Sequence, residues 1–359
     1  MREESSKRSV GIGLVGAGSM ADLHVRAFSK IRAVNLVAVC SRQVETVEKR
    51  KKEWGIRRGY ADFNELVRDP DVDAVDIVAP NSLHARIAIA ALSAGKPVFC
   101  EKPPALNAEE TQEMNRAASA SGKSLMFGFL FRFSEKMRLV RELVGSGRLG
   151  DILYVKAGVL RRCGSPGGWF TSRHMAGGGP LMDVGVHLID LAAFLMGEPR
   201  PLSVYGKTFT GIGGRESVLN APRGWKSSMK AGFAYDVEDM AAGFVNFSNG
   251  ACLSIEASNS SHIKDDMMYL ELQGTRGGIT VEPVLELHTE LEHRLVDSRL
   301  RVNCDTFDYQ GSIDAEMSHF VDCVAGGARC ESGAESGLAV MKIIDALYSS
   351  AESGVAVAL

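Results

Sequence analysis

Between about residues 10 and 130, short apolar runs alternate with longer amphipathic stretches. VGIGLVG (10–16) precedes ADLHVRAFSKI, VNLVAVC (34–40) precedes VETVEKRKKEW, and AVDIVAP (74–80) leads into LHARIAIAALSAG; PVFCEKP (97–103) precedes EETQEMNRAASASG, and SLMFGF (124–129) closes the series. The runs are continuous rather than alternating in polarity, which suits strands buried on both faces. The pattern over 1–130 therefore predicts a doubly wound parallel sheet covered by helices. Asn107 followed by Glu110 has the form of a capping box, with Asn in place of Ser or Thr, and predicts a helix start there.

From 131 to 359 the rhythm changes. SEKMRLVRELVGSG reads as a helix, DILYVKAGVLRR as a strand, and an apolar helix is predicted over 180–196. AAGFVNFSNGACLSIEAS (241–258) holds two half-alternating strands about an Asn249-Gly250 hairpin signal, and MMYLELQGTRGGITVEP (267–283) repeats the arrangement around a Gly-rich turn. DAEMSHFVDCVAG and GLAVMKIIDALYSSAESG read as amphipathic helices, and 211–232 as the longest loop. The second region is thus expected to be an α+β domain with a largely antiparallel open sheet. The second face of that sheet is rich in Val, Phe, Leu and Ile and would be exposed without a partner, so a homodimer or homotetramer is predicted.

Chain length supports two domains, because 359 residues exceed the roughly 250–300 that one core serves. Lys and Arg number 41 against 44 Asp and Glu, a formal charge of −3, which excludes the basic field of a nucleic-acid binder. The basic run Lys49-Arg50-Lys51-Lys52 is interleaved with Glu45, Glu48 and Glu53 and reads as a solvated helix face. The N-terminus lacks the apolar core of a signal peptide, and no uncharged run approaches the roughly 20 residues of a membrane helix, so a cytoplasmic protein without a membrane partner is expected. Seven cysteines, including Cys304, are spread without a CxxC pair; reduced core thiols are expected, above all at Cys40 and Cys100, which end apolar runs.

Gly16-Ala17-Gly18-Ser19-Met20-Ala21 follows the first apolar run and opens the first helical stretch, matching the Rossmann dinucleotide fingerprint G-x-G-x-x-G/A. Gly16 allows the tight turn, Gly18 leaves room for a pyrophosphate, Ala21 lets the helix pack closely, and the N–H groups around Ser19 and Met20 face the anion. The acid that would hold ribose hydroxyls at the end of the second strand is replaced by Ser41-Arg42. These can hydrogen-bond and pair a 2′-phosphate, so NADP is favoured over NAD; a surface arginine stacking on adenine is the alternative.

With that turn, APNSLH (79–84), EKP (101–103) and GGGPLMDVGVHLID (177–190) occur in the order of the Gfo/Idh/MocA oxidoreductases, and VEDMAAGFVNFSNGACLSIEAS (237–258) is similar to their sheet domain. The chain resembles that family over nearly its whole length. The resemblance implies a Lys102 close to substrate and nicotinamide, with a cis Lys102–Pro103 bond. It also implies a cofactor edge formed by Ala79, Pro80, Asn81, His84 and Glu101, although Asn81 serves equally well as a helix cap. Arg132, Trp169, Arg173, His174 and Tyr235 fall in stretches that line the family's substrate site. The family's W-R-x-D pattern is blurred here into Trp169-Phe170-Thr171-Ser172-Arg173, so no sugar specificity transfers.

The residues themselves point the same way. Lys102 follows an apolar strand at the carboxyl edge of the sheet, where doubly wound folds bind ligands. Asp183 and His187 are one helical turn apart, on a face separate from the apolar stripe Leu181, Val184, Leu188, Leu191 and Leu195. Three adjoining glycines before them would let a ligand approach the backbone. Asp183, His187 and Asp190 could form a metal set, but no HExxH or Cys/His cluster accompanies them and hydride transfer needs no metal; none is expected.

The predicted activity is hydride exchange between NAD(P) and a secondary alcohol or carbonyl of a sugar, polyol or glycoside. His187 is the predicted base, Lys102 the stabiliser of developing oxygen charge and Asp183 the positioning group; Lys102 and His187 can exchange roles. Transient oxidation with a retained cofactor, leading to elimination, epimerisation or glycoside cleavage, and a nicotinamide-binding regulator are the competing readings.

Overall fold

A computed structural model describes residues 9–219, 221, 226–227, 233–302 and 307–359. Cys304 lies outside them, as does much of the stretch expected to be the longest loop. The chain forms two units. One comprises the chain up to Pro104, Glu109–Phe133 and Asp308–Ala334; the other comprises Ala105–Ala108, Ser134–Phe307 and Glu335–Leu359.

In the first unit the apolar runs form the expected strands: β1 (Val10–Val15), β2 (Val34–Cys40), β3 (Arg58–Tyr60), β4 (Ala74–Ile77), β5 (Val98–Cys100) and β6 (Leu125–Phe127). They lie in the order β3-β2-β1-β4-β5-β6, and the adjacent pairs are parallel. Ile12, Leu14, Val75 and Phe99 are fully buried, as the continuous apolar runs require. Helices α1 (Ser19–Phe28), α2 (Val44–Trp54), α3 (Phe63–Arg68), α4 (His84–Ser93) and α5 (Ala108–Ser121) connect the strands. Gly55, at φ 69°, ends α2 in the left-handed region. The Asp62 carboxylate accepts the Asn64 N–H at 2.9 Å and caps α3. The first residue of α5 is Ala108, which puts Asn107 at the expected cap position. The strand order reverses between β1 and β4, so the loops after these strands flank the switch point where such sheets take ligands.

The second unit contains α6 (Glu135–Gly145), β7 (Ile152–Leu160), the short α7 (Arg173–Ala176), α8 (Val186–Met196), β8 (Pro201–Phe209), the four-residue α9 (Glu216–Leu219), β9 (Met240–Phe247), β10 (Cys252–Ser258), β11 (Met267–Gly274), β12 (Gly277–Glu282), β13 (Glu286–Leu291) and β14 (Arg294–Arg299). Then come α10 (Tyr309–Val324), which belongs to the first unit, and α11 (Ala334–Ser353) and β15 (Val357–Ala358). The nine strands are ordered β14-β13-β12-β11-β7-β10-β9-β8-β15; β7 and β10 run parallel and every other neighbouring pair is antiparallel. Asn249-Gly250 makes the predicted hairpin between β9 and β10, with Gly250 at φ 86°. Helix α8 packs against β7 and β10, and it belongs to a long apolar helical stretch, Arg173–Met196, which is mostly buried within protein.

Two features depart from a single boundary at 130. Helix α10 supplies Ile313, Met317 and Phe320 to the same core as Ile12, Phe28 and Phe99. Ser332 and Gly333 then add to the edge of β6, Phe127 N–H donating to Ser332 O at 2.8 Å and Met126 bridging Gly333. An apolar helix face in a late segment cannot be assigned to an early core from periodicity alone.

Candidate active site

At the first turn of the first unit, Gly16 has φ 120°, and a Cβ there would stand 2.4 Å from Val78 O. Gly18 is different: a Cβ on it would meet nothing within 4 Å among the described residues. The protein's own packing therefore gives no reason for glycine at 18, whereas close approach of a bulky group from solvent does. Gly18 caps the ten-residue α1 without a side chain, leaving the first-turn N–H groups, including those of Ser19 and Met20, for an outside acceptor. The turn thus fits a dinucleotide pyrophosphate.

An acid sits in that first turn and is neutralised locally. Asp22 receives Arg50 through both carboxylate oxygens, at 2.8 and 3.1 Å, and the Trp54 indole N–H at 3.0 Å; Arg50 also donates to Ala17 O at 3.1 Å and lies over the Trp54 ring. The basic run at 49–52 is therefore not a uniform solvated face. Lys49 and Lys52 are exposed, but Arg50 turns inward and fastens the phosphate turn to α2. At the end of β2, Ser41 N–H bonds Tyr60 O at 3.1 Å and Arg42 is exposed.

The loops after β4 and β5 are fastened to each other. Asn81 is buried and opens a 3-10 turn, Asn81–Leu83, that runs into α4. His84 is also buried, its Nδ1 2.8 Å from Pro103 O and its Nε2 2.8 Å from Ala79 O. Burial pushes its pKa down, against the pull of the two carbonyls. His84 is thus a bolt between the Ala79-Pro80 and Lys102-Pro103 segments. The Lys102–Pro103 bond is cis, and Lys102 is half-buried. Its N–H donates to Glu101 Oε2 at 3.0 Å, while Glu101 Oε1 lies 3.1 Å from Nε2 of the buried His24. Glu101 faces the interior. Arg132 also points inward: it is 1% exposed, donates to Glu331 O at 2.6 Å and lies over the Phe129 ring.

In the second unit, Pro180 begins the predicted helical stretch, but its first turn, Leu181–Gly185, is π-helical, with Val186 N–H bonded to Leu181 O. Such a turn inserts a residue into the helical register and is frequent at functional sites. The apolar stripe is buried as expected, Leu181, Leu188, Leu191 and Leu195 at 0–1% exposure. From Gly178 through Ala192, Asp183 and His187 alone are not fully buried.

Gly178, before this turn, has a different reason from the one the sequence suggested. A Cβ on Gly178 would stand 1.9 Å from the Tyr348 hydroxyl, so Tyr348, rather than a ligand, demands the space. Tyr348 OH donates to Glu238 Oε1 at 2.9 Å, and Glu238 also accepts Gly179 N–H at 2.9 Å and Leu181 N–H at 3.2 Å. This carboxylate, 2% exposed, fixes the entry to the Asp183/His187 helix. Burial pushes its pKa up, against those donors.

Its neighbours anchor adjoining loops. Asp236 accepts Arg173 N–H at 2.6 Å, and the Arg173 guanidinium lies 5.5 Å from the centre of the Tyr348 ring. Asp239 accepts the N–H groups of Ile212 and Gly213 at 2.7 and 2.8 Å and the Tyr235 hydroxyl at 2.8 Å. Burial and Asp239 push the Tyr235 phenol well up, so it acts as a donor inside the protein. Trp169 stacks on Phe170 at 3.8 Å, and Arg173 and His174 are exposed. The structure thus groups Arg173 with the Glu238 anchor and turns Tyr235 and Arg132 to internal bonds. Sequence reading missed His24, Asp76, Asp236, Glu238, Asp239 and Tyr348; an acidic pair within VEDM was the available signal for two of them.

The six described cysteines are free, with Cys40, Cys100 and Cys323 buried. Burial, with Asp62 and Glu65 nearby, pushes the Cys40 thiol up to about 12.

Comparisons with known proteins agree with this architecture. Residues 10–129 match the oxidoreductase family's NAD-binding Rossmann fold, and residues 141–359 match that family's C-terminal alpha/beta domain. The chain is 32% identical over 362 residues to the D-glucoside 3-dehydrogenase of Escherichia coli (strain K12), covering all of both chains. It is 29% identical to the levoglucosan dehydrogenase of Pseudarthrobacter phenanthrenivorans over 76% of this chain and 73% of that one. A solved levoglucosan dehydrogenase in complex with NADH superposes with a TM-score of 0.85 at 25% identity, covering 98% of this chain and 99% of that one. With both family domains matched in sequence, the chain belongs to the Gfo/Idh/MocA family of NAD(P)-binding oxidoreductases.

Proposed function

We propose that this oxidoreductase exchanges a hydride between NAD(P) and a secondary ring hydroxyl of a glucoside or anhydro-sugar. The observation that carries the proposal is the pair Asp183 and His187, the two openings in an otherwise buried helical stretch. Relatives named for glucosides and levoglucosan supply the substrate class. Gly16, Gly18, Ser19 and Met20 would hold the pyrophosphate, and Ala79, Pro80 and Asn81 the nicotinamide side. When bound, the nicotinamide supplies the acceptor for the carbon-bound hydrogen and its electron pair. His187 takes the hydroxyl proton as that carbon–hydrogen bond breaks and the carbonyl forms; histidine does so near neutral pH with little perturbation. The Lys102 ammonium stabilises negative charge growing on the oxygen, and Asp183 orients the substrate or His187. In reverse, His187 returns the proton. Arg173 and His174, exposed beside the Glu238 anchor, and Trp169 are the substrate's side contacts.

The cofactor preferred is NADP, because Ser41-Arg42 follows β2 where an acid would suit NAD. Arg42→Ala should weaken NADPH about tenfold and leave NADH unchanged. Tyr205 and Phe244, opposed across β8 and β9, and Phe209 are about half exposed on the open sheet face, which we assign to a homodimer or homotetramer contact. A monomer by light scattering at micromolar concentration would remove that assignment.

The deciding assay follows 340 nm absorbance with NADP or NAD against methyl glucosides, levoglucosan, aldoses and inositols, with Lys102→Met as control. Turnover on a glycoside that the control lacks supports the proposal. Turnover confined to aldoses or inositols moves the substrate class, and no absorbance change on any of them overturns net dehydrogenation.

A further inference from the structure

Beneath the loop that carries Lys102 lies a set of charges that the mechanism above leaves unused. His24, on α1, is fully buried and both of its ring nitrogens face carboxylates, Nδ1 at 2.9 Å from Asp76 Oδ2 and Nε2 at 3.1 Å from Glu101 Oε1. A neutral imidazole has one N–H and one lone pair, so only the imidazolium can donate to both. Burial by itself favours the neutral ring, but Asp76 and then Glu101 outweigh it and raise the pKa to about 10.

The far side of Glu101 is the functional loop, where Oε2 accepts the Lys102 N–H. The carboxylate has little freedom to turn. A Cβ on Gly128 would stand 3.1 Å from it, and Phe99 meets the His24 ring edge-on at 5.5 Å.

We propose that His24, shared as an imidazolium between Asp76 and Glu101, is a positioning residue that aims Lys102 through the Glu101 carboxylate. The proposal rests on the reading of Lys102 as the group beside the reacting oxygen. Without the cation, two buried carboxylates would face each other and one would take up a proton. A protonated or rotated Glu101 no longer fixes the Lys102 N–H, and a displacement of about 1 Å in a reacting group lowers a rate about a hundredfold. Neither change touches the open turn at Gly16–Met20, so dinucleotide affinity should be spared.

Three measurements on the full chain test it. In a sample labelled with 15N-histidine at pH 8, both His24 ring nitrogens should carry protons; a neutral ring overturns the proposal. In His24→Gln, kcat on methyl β-D-glucoside should fall ten- to a hundredfold. The NADPH dissociation constant, read by tryptophan quenching, should stay within twofold, and the Lys102 amide proton should shift upfield. An unmoved Lys102 amide, or parental kcat, overturns the proposal. If His24→Gln does not fold, Glu101→Gln takes its place, with the same kcat loss expected and parental kcat again decisive against it. Lys102→Met separates the two ideas: full turnover in that variant removes the reading of Lys102 itself, whereas its inactivity beside a parental His24→Gln removes the role of His24 alone.

Discussion

Glu101 in the first unit and Glu238 in the second are both buried, and each holds a functional segment by accepting backbone N–H from it, one at Glu101 and two at Glu238. They differ in what compensates the charge. Glu238 has neutral donors, two backbone N–H groups and the Tyr348 hydroxyl, and burial pushes its pKa upward despite them. Glu101 shares the His24 imidazolium with Asp76, so a cation lies inside the anchor. Neutral donors suffice to aim a carboxylate but do not cancel its charge, so burial still raises its pKa; a buried cation moves the sensitivity of the assembly to alkaline pH.

The largest expected effect sets the ceiling for both anchors. His187→Asn should lower kcat by about 10²- to 10⁴-fold on the glycoside turned over by the parent, as removal of a general base does. If Lys102→Met instead abolishes the pH dependence of kcat while His187→Asn only weakens it, the roles of the two residues exchange. Next, Glu238→Ala should destabilise the protein by about 3 kcal/mol in urea unfolding, since buried donors left without acceptors cost about 1–3 kcal/mol each. A loss below about 1 kcal/mol would mean that the Gly179–Leu181 entry finds other partners.

The pH response separates the anchors directly. His24 has a folded pKa raised above its unfolded value, so its contribution to stability is complete below about pH 6.5 and is lost as pH rises to about 10. Glu238 is also raised, so its loss begins above about pH 4.5, at the opposite end of the scale. Stability measured from pH 4 to 10 should lose its alkaline slope in His24→Gln and, in Glu238→Gln, the decline that begins above about pH 4.5; a curve unchanged by either substitution would dissolve the contrast. The smallest effect is expected from Tyr348→Phe, which removes one of three donors to Glu238 and should cost about 1 kcal/mol in the same unfolding assay.

What could be read from the chain alone was what lies close together along it. The glycine turn, the helix start near Ala108, the Asn249-Gly250 hairpin and the buried stripe on the Asp183/His187 helix each follow from neighbours a few residues apart, where backbone geometry and periodicity act. The anchors do not. His24 finds Asp76 and Glu101 at separations of 52 and 77 residues, and Glu238 finds Gly179 and Tyr348 at 59 and 110. A pattern of apolar positions says which face is buried, but not which distant carboxylate meets it. The π-helical turn was hidden for a related reason: a pattern built on 3.6 residues per turn tolerates one widened turn. Within the triple glycine, Gly178 misled in its cause, since the group needing the space there, Tyr348, comes from α11, far down the chain.

The late position of α10 has a consequence for how the protein is made. Its Ile313, Met317 and Phe320 fill the same core as Ile12, Phe28 and Phe99, yet residues 134–307 must be synthesised first. At about 5–20 residues per second, the ribosome spends roughly ten to thirty-five seconds on that stretch. Throughout that interval the emerged six-stranded sheet has every strand it will ever have but not the helix that seals it. The dinucleotide half of this enzyme therefore has its strands translated before residues 134–307 and its covering helix only after them.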